Sequence, residues 1–238
     1  MKEAVILAGG FGTRLQKVVR DLPKPMAPIG EVPFLSFLLD YLIPFEYDKV
    51  IISTGYLGHK IEEFYGNQYK SMSLAYAHED IPLGTGGAIV YALSFCAGDN
   101  VLVLNGDTMF QINLQSLENV FAEKTTKLAV ALRKVEDVSR YGSVLFDDTL
   151  KITSFAEKNQ FFGSGYINGG VYMLNHNLFL EYNLPEKFSF EKDFMEKYAE
   201  KEDFYAYPCN NYFIDIGVPE DYERAQKEFP ERFSNIIQ

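Results

Sequence analysis

The chain is short of cysteine, short of cations for its acids, and has no long apolar run. Its 238 residues carry two cysteines, Cys96 and Cys209. Two thiols make no spaced framework for disulfides or zinc, so both read as reduced, largely buried side chains. Lys and Arg number 22 against 33 Asp and Glu, a net charge of −11. A nucleic-acid backbone asks for a basic face, so nucleic acid is excluded as a partner. A small anion would have to be met by individually placed cations. No apolar stretch approaches the roughly 20 residues of a membrane-spanning helix, and no membrane association is expected. The stretch AVILA (4–8) runs straight into glycines and is too short for a signal peptide. A cytoplasmic location is expected.

What is present is alternation. With 47% hydrophobic residues, the chain can bury one sizeable core. AVILA, KVIIST (49–54), LAYAHE (74–79) and NVLVLNGD (100–107) read as strands. FLSFLLDYLI (34–43), HKIEEFY (59–65) and TGGAIVYALSFC (85–96) read as helices between them, and Leu114, Leu117 and Phe121 repeat behind an Asn113 cap. Strand–helix alternation predicts an α/β fold, a doubly wound, mostly parallel Rossmann-like sheet. The second half is richer in strands: 127–135, 141–146, 151–158, 165–174 and 212–217, with helices over 190–201 and 219–229. A single domain with a β-rich insert as its second lobe is expected.

The residues that carry chemistry begin at once. ILAGGFGTRL (6–15) follows the first strand with Gly9, Gly10, Gly12 and then Arg14. Glycine lets a ligand approach the main chain closely, and exposed N–H groups beside an arginine suit a phosphate. A dinucleotide fold wants G-x-G-x-x-G, but Leu15 stands where the third glycine belongs; a Walker A loop wants Gly-Lys-Ser/Thr, which is missing. LPKPMAPI (22–29) holds Lys24 between two prolines, on a stiff backbone. Alone it reads as a surface lysine. Ten residues after Arg14, beside a strand's carboxyl end, it stands where doubly wound sheets bind ligands. NGD (105–107) puts Asp107 at the same rim, although Asn-Gly-Asp is also turn chemistry. FIDIG (213–217) supplies Asp215. Converging beside a phosphate loop, two such carboxylates would hold a hard cation such as Mg²⁺; spacing alone does not make them converge. The pair EK (157–158) is ordinarily a solvated face. GYINGG (165–170) sets Asn168 and two glycines in a strand, which suggests a ligand passing close to the backbone.

LAGGFGTRL, PKP, PLGTGGA (82–88), the strand-terminal GD, EK, INGGVY (167–172) and IDIGVPEDY (214–222) stand in the order found in sugar-1-phosphate nucleotidyltransferases. The chain resembles that family from residue 4 to about residue 225. GGFGTRL, then VVRDLPKPMAPI, then PFLSFLLDYL, looks most like its D-glycero-α-D-manno-heptose 1-phosphate guanylyltransferase branch. The resemblance implies that Leu7, Ala8, Gly9, Gly10, Gly12, Thr13, Glu79, Gly84 and Thr85 bind the nucleotide. Arg14, Lys24 and Asp107 would be catalytic, and Asp107 and Asp215 would hold Mg²⁺. Glu157 would bind sugar hydroxyls, Lys158 the sugar phosphate, and Asn168 and Gly169 would line the sugar pocket. A nucleotide-binding lobe over about 1–125 and a sugar-phosphate lobe with the C-terminal helices over about 126–238 follow from it, and a homo-oligomer is compatible with it. Larger relatives carry a C-terminal β-helix of hexapeptide repeats; none is expected here.

The reaction so implied joins a sugar 1-phosphate to the α-phosphorus of a nucleoside triphosphate and releases pyrophosphate. The attacking oxygen is already an anion and needs no general base. The obstacle is repulsion between anions, so placed cations and in-line geometry must overcome it. That accounts for Arg14, Lys24 and Lys158 in an acidic chain. Glu79 points to the base. Related uridylyl- and thymidylyltransferases resemble this stretch but carry glutamine there, which offers one donor and one acceptor. An ionised glutamate offers acceptors only, and guanine alone presents two adjacent donors. GTP is therefore the expected nucleotide, unless Glu79 is merely a solvated strand-end acid. A mannose-1-phosphate guanylyltransferase, a uridylyltransferase and a silent nucleotide-sensing subunit stay open as alternatives. Arg14, Lys24, Asp107 and Asp215 together speak against silence.

Overall fold

Apolar runs that are continuous in sequence become strands buried on both faces. In a computed structural model describing residues 1–10, 21–139, 142–156 and 162–233, one eight-stranded sheet organises the chain. Its strands are β1 (Glu3–Leu7), β2 (Lys49–Thr54), β3 (Gln68–Tyr69), β4 (Met72–His78), β5 (Asn100–Asn105), β6 (Leu128–Val135), β7 (Gly165–Asn175) and β8 (Tyr205–Cys209). Their order is β8-β6-β7-β5-β1-β2-β4-β3. All run the same way except β3 and β7, which are antiparallel to their neighbours. The mostly parallel, doubly wound sheet expected from the alternation is what forms.

Helices cover both faces: α1 (Phe34–Leu42), α2 (Gly58–Tyr65), α4 (Leu114–Glu123) and α6 (Pro219–Arg232) on one, α3 (Gly84–Leu93) and the short α5 (Glu196–Tyr198) on the other. Along β1, Ala4 and Ile6 join the first layer's core and Val5 the second's. That two-sided burial is why AVIL shows no polar alternation. Each large aliphatic side chain so buried contributes about 1.5–3 kcal/mol. Helix α4 starts as its sequence predicts, with Asn113 Oδ1 accepting the Ser116 N–H at 3.0 Å. Among the described residues no helix is long and apolar enough to cross a membrane.

The second half differs from its sequence reading in three ways. Strands β6, β7 and β8 extend the same sheet, while the hairpin of Ser143–Phe146 with Ile152–Ala156 pairs apart from it. The helix read over 190–201 opens as a π-helical turn, Phe190–Met195, continued by α5. The wider turn stacks the buried rings of Phe190 and Phe194, with centroids 5.7 Å apart. Lastly, Phe213–Asp215 pairs antiparallel with a short strand, Thr108–Phe110, that the sequence had not shown. That pairing sets Asp215 opposite Thr108, one residue from Asp107.

Candidate active site

Parallel strands end on a common rim. Their register sets Leu7 opposite both Ser53 and Asn105. The Ala8 N–H crosses to Ser53 O at 2.7 Å, the Gly106 N–H to Leu7 O at 2.9 Å, and the Glu79 N–H to Thr54 O at 2.8 Å. Above this row opens a cavity of about 270 Å³. Leu7, Ala8, Gly9, Gly10, Lys24, Glu79, Gly84, Thr85 and Asp107, all singled out in the sequence, line it. Pro25, Ser53, Pro82, Ala88 and Asn105 also line it and were not foreseen. A serine ending an apolar strand and an asparagine before a strand-terminal Gly-Asp were the available signals for two of these.

One end of the cavity is charged. Pro23 and Pro25 flank Lys24, which opens the single turn Lys24–Met26, and Lys24 is only 14% exposed. Its ammonium ion-pairs with Asp107 Oδ2 and stands 3.6 Å from Asp215 Oδ1. The two carboxylates that spacing could not bring together thus share one cation. Asp215 also accepts the Gly217 N–H at 2.7 Å. Burial pushes the Asp215 carboxyl above the usual carboxylate range and the charge of Asp107 adds to that, while Lys24 and the Gly217 N–H pull it down. A Cβ at residue 217 would fall on Lys24 Nζ, so the ammonium has room because Gly217 lacks one. Two carboxylates already sharing a cation are an oxygen donor set that fits a hard divalent ion. Among the described residues no cluster of three or more acidic, histidine or cysteine side chains could hold a metal by itself, so further ligands would come from substrate phosphate and water.

The other end is built on Glu79. Ser53 Oγ donates to its Oε1 at 3.1 Å and the Leu83 N–H to its Oε2 at 2.9 Å. The carboxylate is therefore fixed, with one lone pair left on each oxygen. A Cβ at Gly9 would stand 2.7 Å from Glu79 Oε1, and one at Gly55 2.8 Å from Gly9 O. Gly9 is glycine because two loops and a carboxylate meet there. Among the described residues, nothing lies within 4 Å of a Cβ at Gly10, which lines the cavity.

The glycines of PLGTGGA serve the chain itself more than a ligand. Phe188 O accepts the N–H groups of Gly86 and Gly87 at 3.0 and 3.4 Å, and the Phe188 N–H reaches Leu83 O at 3.0 Å. A Cβ at Gly84, where φ is +74°, would stand 2.5 Å from Phe188 O; at Gly86 it would enter the Phe188 ring, and at Gly87 the Glu186 carbonyl. This strap takes the first donors of α3, leaving Gly84, Thr85 and Ala88 to face the cavity. The Thr85 hydroxyl donates to Glu191 Oε2 at 2.6 Å and accepts the Phe190 N–H at 2.9 Å.

Of the residues assigned to the sugar, Asn168 and Gly169 lie in β7 where its register with β6 is interrupted. Asn168 Nδ2 donates to Tyr172 Oη at 2.7 Å and its Oδ1 accepts the Gly170 N–H at 3.0 Å. The side-chain face of Gly169 is filled by the Phe110 ring, 2.5 Å from a Cβ there. Packing alone calls for that glycine. Gly12, Thr13, Arg14, Glu157 and Lys158 lie outside the described residues.

Comparison with known proteins agrees with this geometry. The family described as "Nucleotidyl transferase" matches residues 3–232. Over 226 residues the chain is 45% identical to D-glycero-alpha-D-manno-heptose 1-phosphate guanylyltransferase of Aneurinibacillus thermoaerophilus, covering 95% of this chain and 97% of that one. It is 43% identical over 222 residues to the protein of the same name from Campylobacter jejuni subsp. jejuni serotype O:2, covering 92% and 96%. The crystal structure of HddC from Yersinia pseudotuberculosis complexed with GMP-PN superposes with a TM-score of 0.84 at 38% identity, covering 96% of this chain and all of that one. A match running from the first strand to the last helix, over a rim that joins a braced lysine to two strand-end carboxylates, makes this chain a member of the nucleotidyl transferase family and a nucleotidyltransferase.

Proposed function

We propose that this enzyme transfers GMP from GTP to D-glycero-α-D-manno-heptose 1-phosphate, giving the GDP-sugar and pyrophosphate. The observation that carries the guanine assignment is Glu79, a carboxylate fixed at the cavity wall by Ser53 and the Leu83 N–H. Its remaining lone pairs suit the N1–H and N2 amino donors of guanine; uracil, cytosine and adenine would each turn a ring or carbonyl acceptor toward it. The heptose assignment rests on the two relatives at 45% and 43% identity.

Lys24 supplies positive charge beside the reacting phosphates, from a backbone its two prolines keep stiff. Asp107 and Asp215 would hold Mg²⁺, whose chemistry when bound is to offset phosphate charge and polarise the transferring group. Gly9 and Gly10 let the nucleotide reach the main chain, and the resemblance adds Gly12, Thr13 and Arg14 to that loop. On the sugar side Asn168 and Gly169 join Glu157 and Lys158. Residues of about 1–125 thus serve the nucleotide and about 126–238 the sugar phosphate. A reaction that draws on GTP belongs in the cytoplasm. Pyrophosphate release over four nucleoside triphosphates, crossed with a panel of sugar 1-phosphates, tests the reading. GTP with the heptose 1-phosphate should give the highest kcat/KM. Preference for UTP or dTTP would overturn the guanylyl assignment, preference for mannose 1-phosphate the heptose one, and no release with any pair the enzymatic reading itself.

A further inference from the structure

We propose that Glu191 is a positioning residue for the nucleotide, holding Thr85 in place at the cavity wall. The inference rests on the cavity being the nucleotide site. Glu191 lies in the π-helical turn Phe190–Met195, 106 positions from Thr85 in sequence. Its Oε2 takes two hydroxyl donors, Thr85 Oγ1 at 2.6 Å and Ser189 Oγ at 2.9 Å. The Thr85 oxygen in turn accepts the Phe190 N–H. Donor and acceptor are both engaged, so one rotamer of a cavity-lining side chain is selected. A hydrogen bond to an ionised acceptor is shorter and stronger than a neutral one.

Glu191 is not what holds the strap on α3. The main-chain bonds of Phe188 to Leu83, Gly86 and Gly87 do that, with the Phe188 ring seated where Gly86 has no side chain and the Glu186 carbonyl where Gly87 has none. What Glu191 adds is the Thr85 hydroxyl. The carboxylate also acts on Tyr172. Tyr172, fully buried, keeps its phenol proton well above the ordinary range, chiefly through burial and then through the nearby charge of Glu191, with Asp107 a smaller contributor. Tyr172 carries Asn168 on its hydroxyl. Glu191 thus bears on Tyr172 as well as on Thr85.

One oxygen takes both hydroxyl bonds, and this makes the role separable from a charge effect. In Glu191→Gln the amide carbonyl can still accept from Thr85 and Ser189; in Glu191→Ala nothing can. We expect Glu191→Ala to raise the KM for GTP about 10-fold or more, the effect of losing a bond to a charged acceptor, with kcat changed less than about 3-fold and the KM for sugar 1-phosphate less than that for GTP. Glu191→Gln should stay near wild type, Thr85→Ala should reproduce Glu191→Ala, and Thr85→Ala/Glu191→Ala should be no worse than either single variant. A Glu191→Gln as impaired as Glu191→Ala would overturn the proposal in favour of a direct use of the charge, and additive losses in the double variant would overturn the coupling. If wild type takes another nucleotide, the guanine reading falls and the same KM comparison, made with that nucleotide, still decides this one.

Discussion

The two ends of the cavity use the same functional group in opposite ways. At the base end, Glu79 receives an O–H on one oxygen and an N–H on the other. It is a carboxylate held still by neutral donors, suited to reading a shape. At the charged end, Asp107 and Asp215 crowd one ammonium, and Asp215 is pushed toward its protonated form by burial and by its neighbour. It is a pair under electrostatic tension, suited to taking a further cation. Each end has a glycine making room for it, Gly9 beside Glu79 and Gly217 beside Lys24 and Asp215. In the function proposed above, specificity and catalysis are separated by neighbours rather than by residue type.

The sharpest way to test that separation is to remove charge at each end. Asp107→Asn or Asp215→Asn should cut turnover at least ~100-fold, the scale of losing a group that organises the transferring phosphate, while the order of preference among nucleotides stays as in wild type. Stopped-time pyrophosphate assays at limiting and saturating Mg²⁺ measure it. Full activity of either variant at limiting Mg²⁺ removes that residue from the metal site. A changed nucleotide order would mean that the two ends are not independent.

Glu79→Gln should do the reverse. Wild type is expected to prefer GTP over UTP by roughly 10- to 100-fold in kcat/KM, since each mispaired polar group costs about 1–3 kcal/mol. The substitution should erode that ratio by lowering GTP use far more than UTP use. The amide oxygen can keep the Leu83 N–H, so the loop before α3 should not move. An unchanged ratio leaves the enzyme as it is and takes the base-reading role away from Glu79.

The fold was legible wherever local chemistry decides it. β2 falls on the predicted residues, and Asn113 caps α4 as read. The lining of the cavity was legible where residues cluster along the chain, as with Gly9, Gly10 and Lys24. What spacing could not give was convergence. Asp215 meets Asp107 through a three-residue pairing, Phe213–Asp215 with Thr108–Phe110, too short to leave a pattern. Glycines were the least readable, because their sequence does not say what fills the space. Gly10 faces the open cavity, whereas Gly87 makes room for the Glu186 carbonyl. Gly87→Ala should therefore cost about 1–3 kcal/mol of stability by overpacking and leave nucleotide preference alone. Gly10→Ala should melt as wild type and bind GTP less well. Denaturant melts paired with GTP titrations read both, and equal stability of the two variants would refute the division.

The smallest effect lies in the tension at the charged end itself. Asp215 binds its proton more tightly in the folded chain than an ordinary carboxyl does. The unfolded chain gives that proton up first, so this group lowers folded-state stability as pH rises through its folded pKa. Below about pH 3 both states keep the proton and the effect vanishes. Asp215→Asn removes the group that bears the strain. In EDTA, without nucleotide, the variant should melt above wild type near neutral pH, and the gap should close as pH falls through the carboxylate range. Adding GTP and Mg²⁺ should reverse the order, since only wild type has both carboxylates to meet the metal and ligand binding stabilises the state that binds. Differential scanning calorimetry over that pH range measures both. If wild type melts higher in EDTA at neutral pH, the pull of Lys24 and the Gly217 N–H outweighs burial and the repulsion of Asp107. The charged end would then be as relaxed as the base end, and the contrast between the two carboxylate environments would not hold.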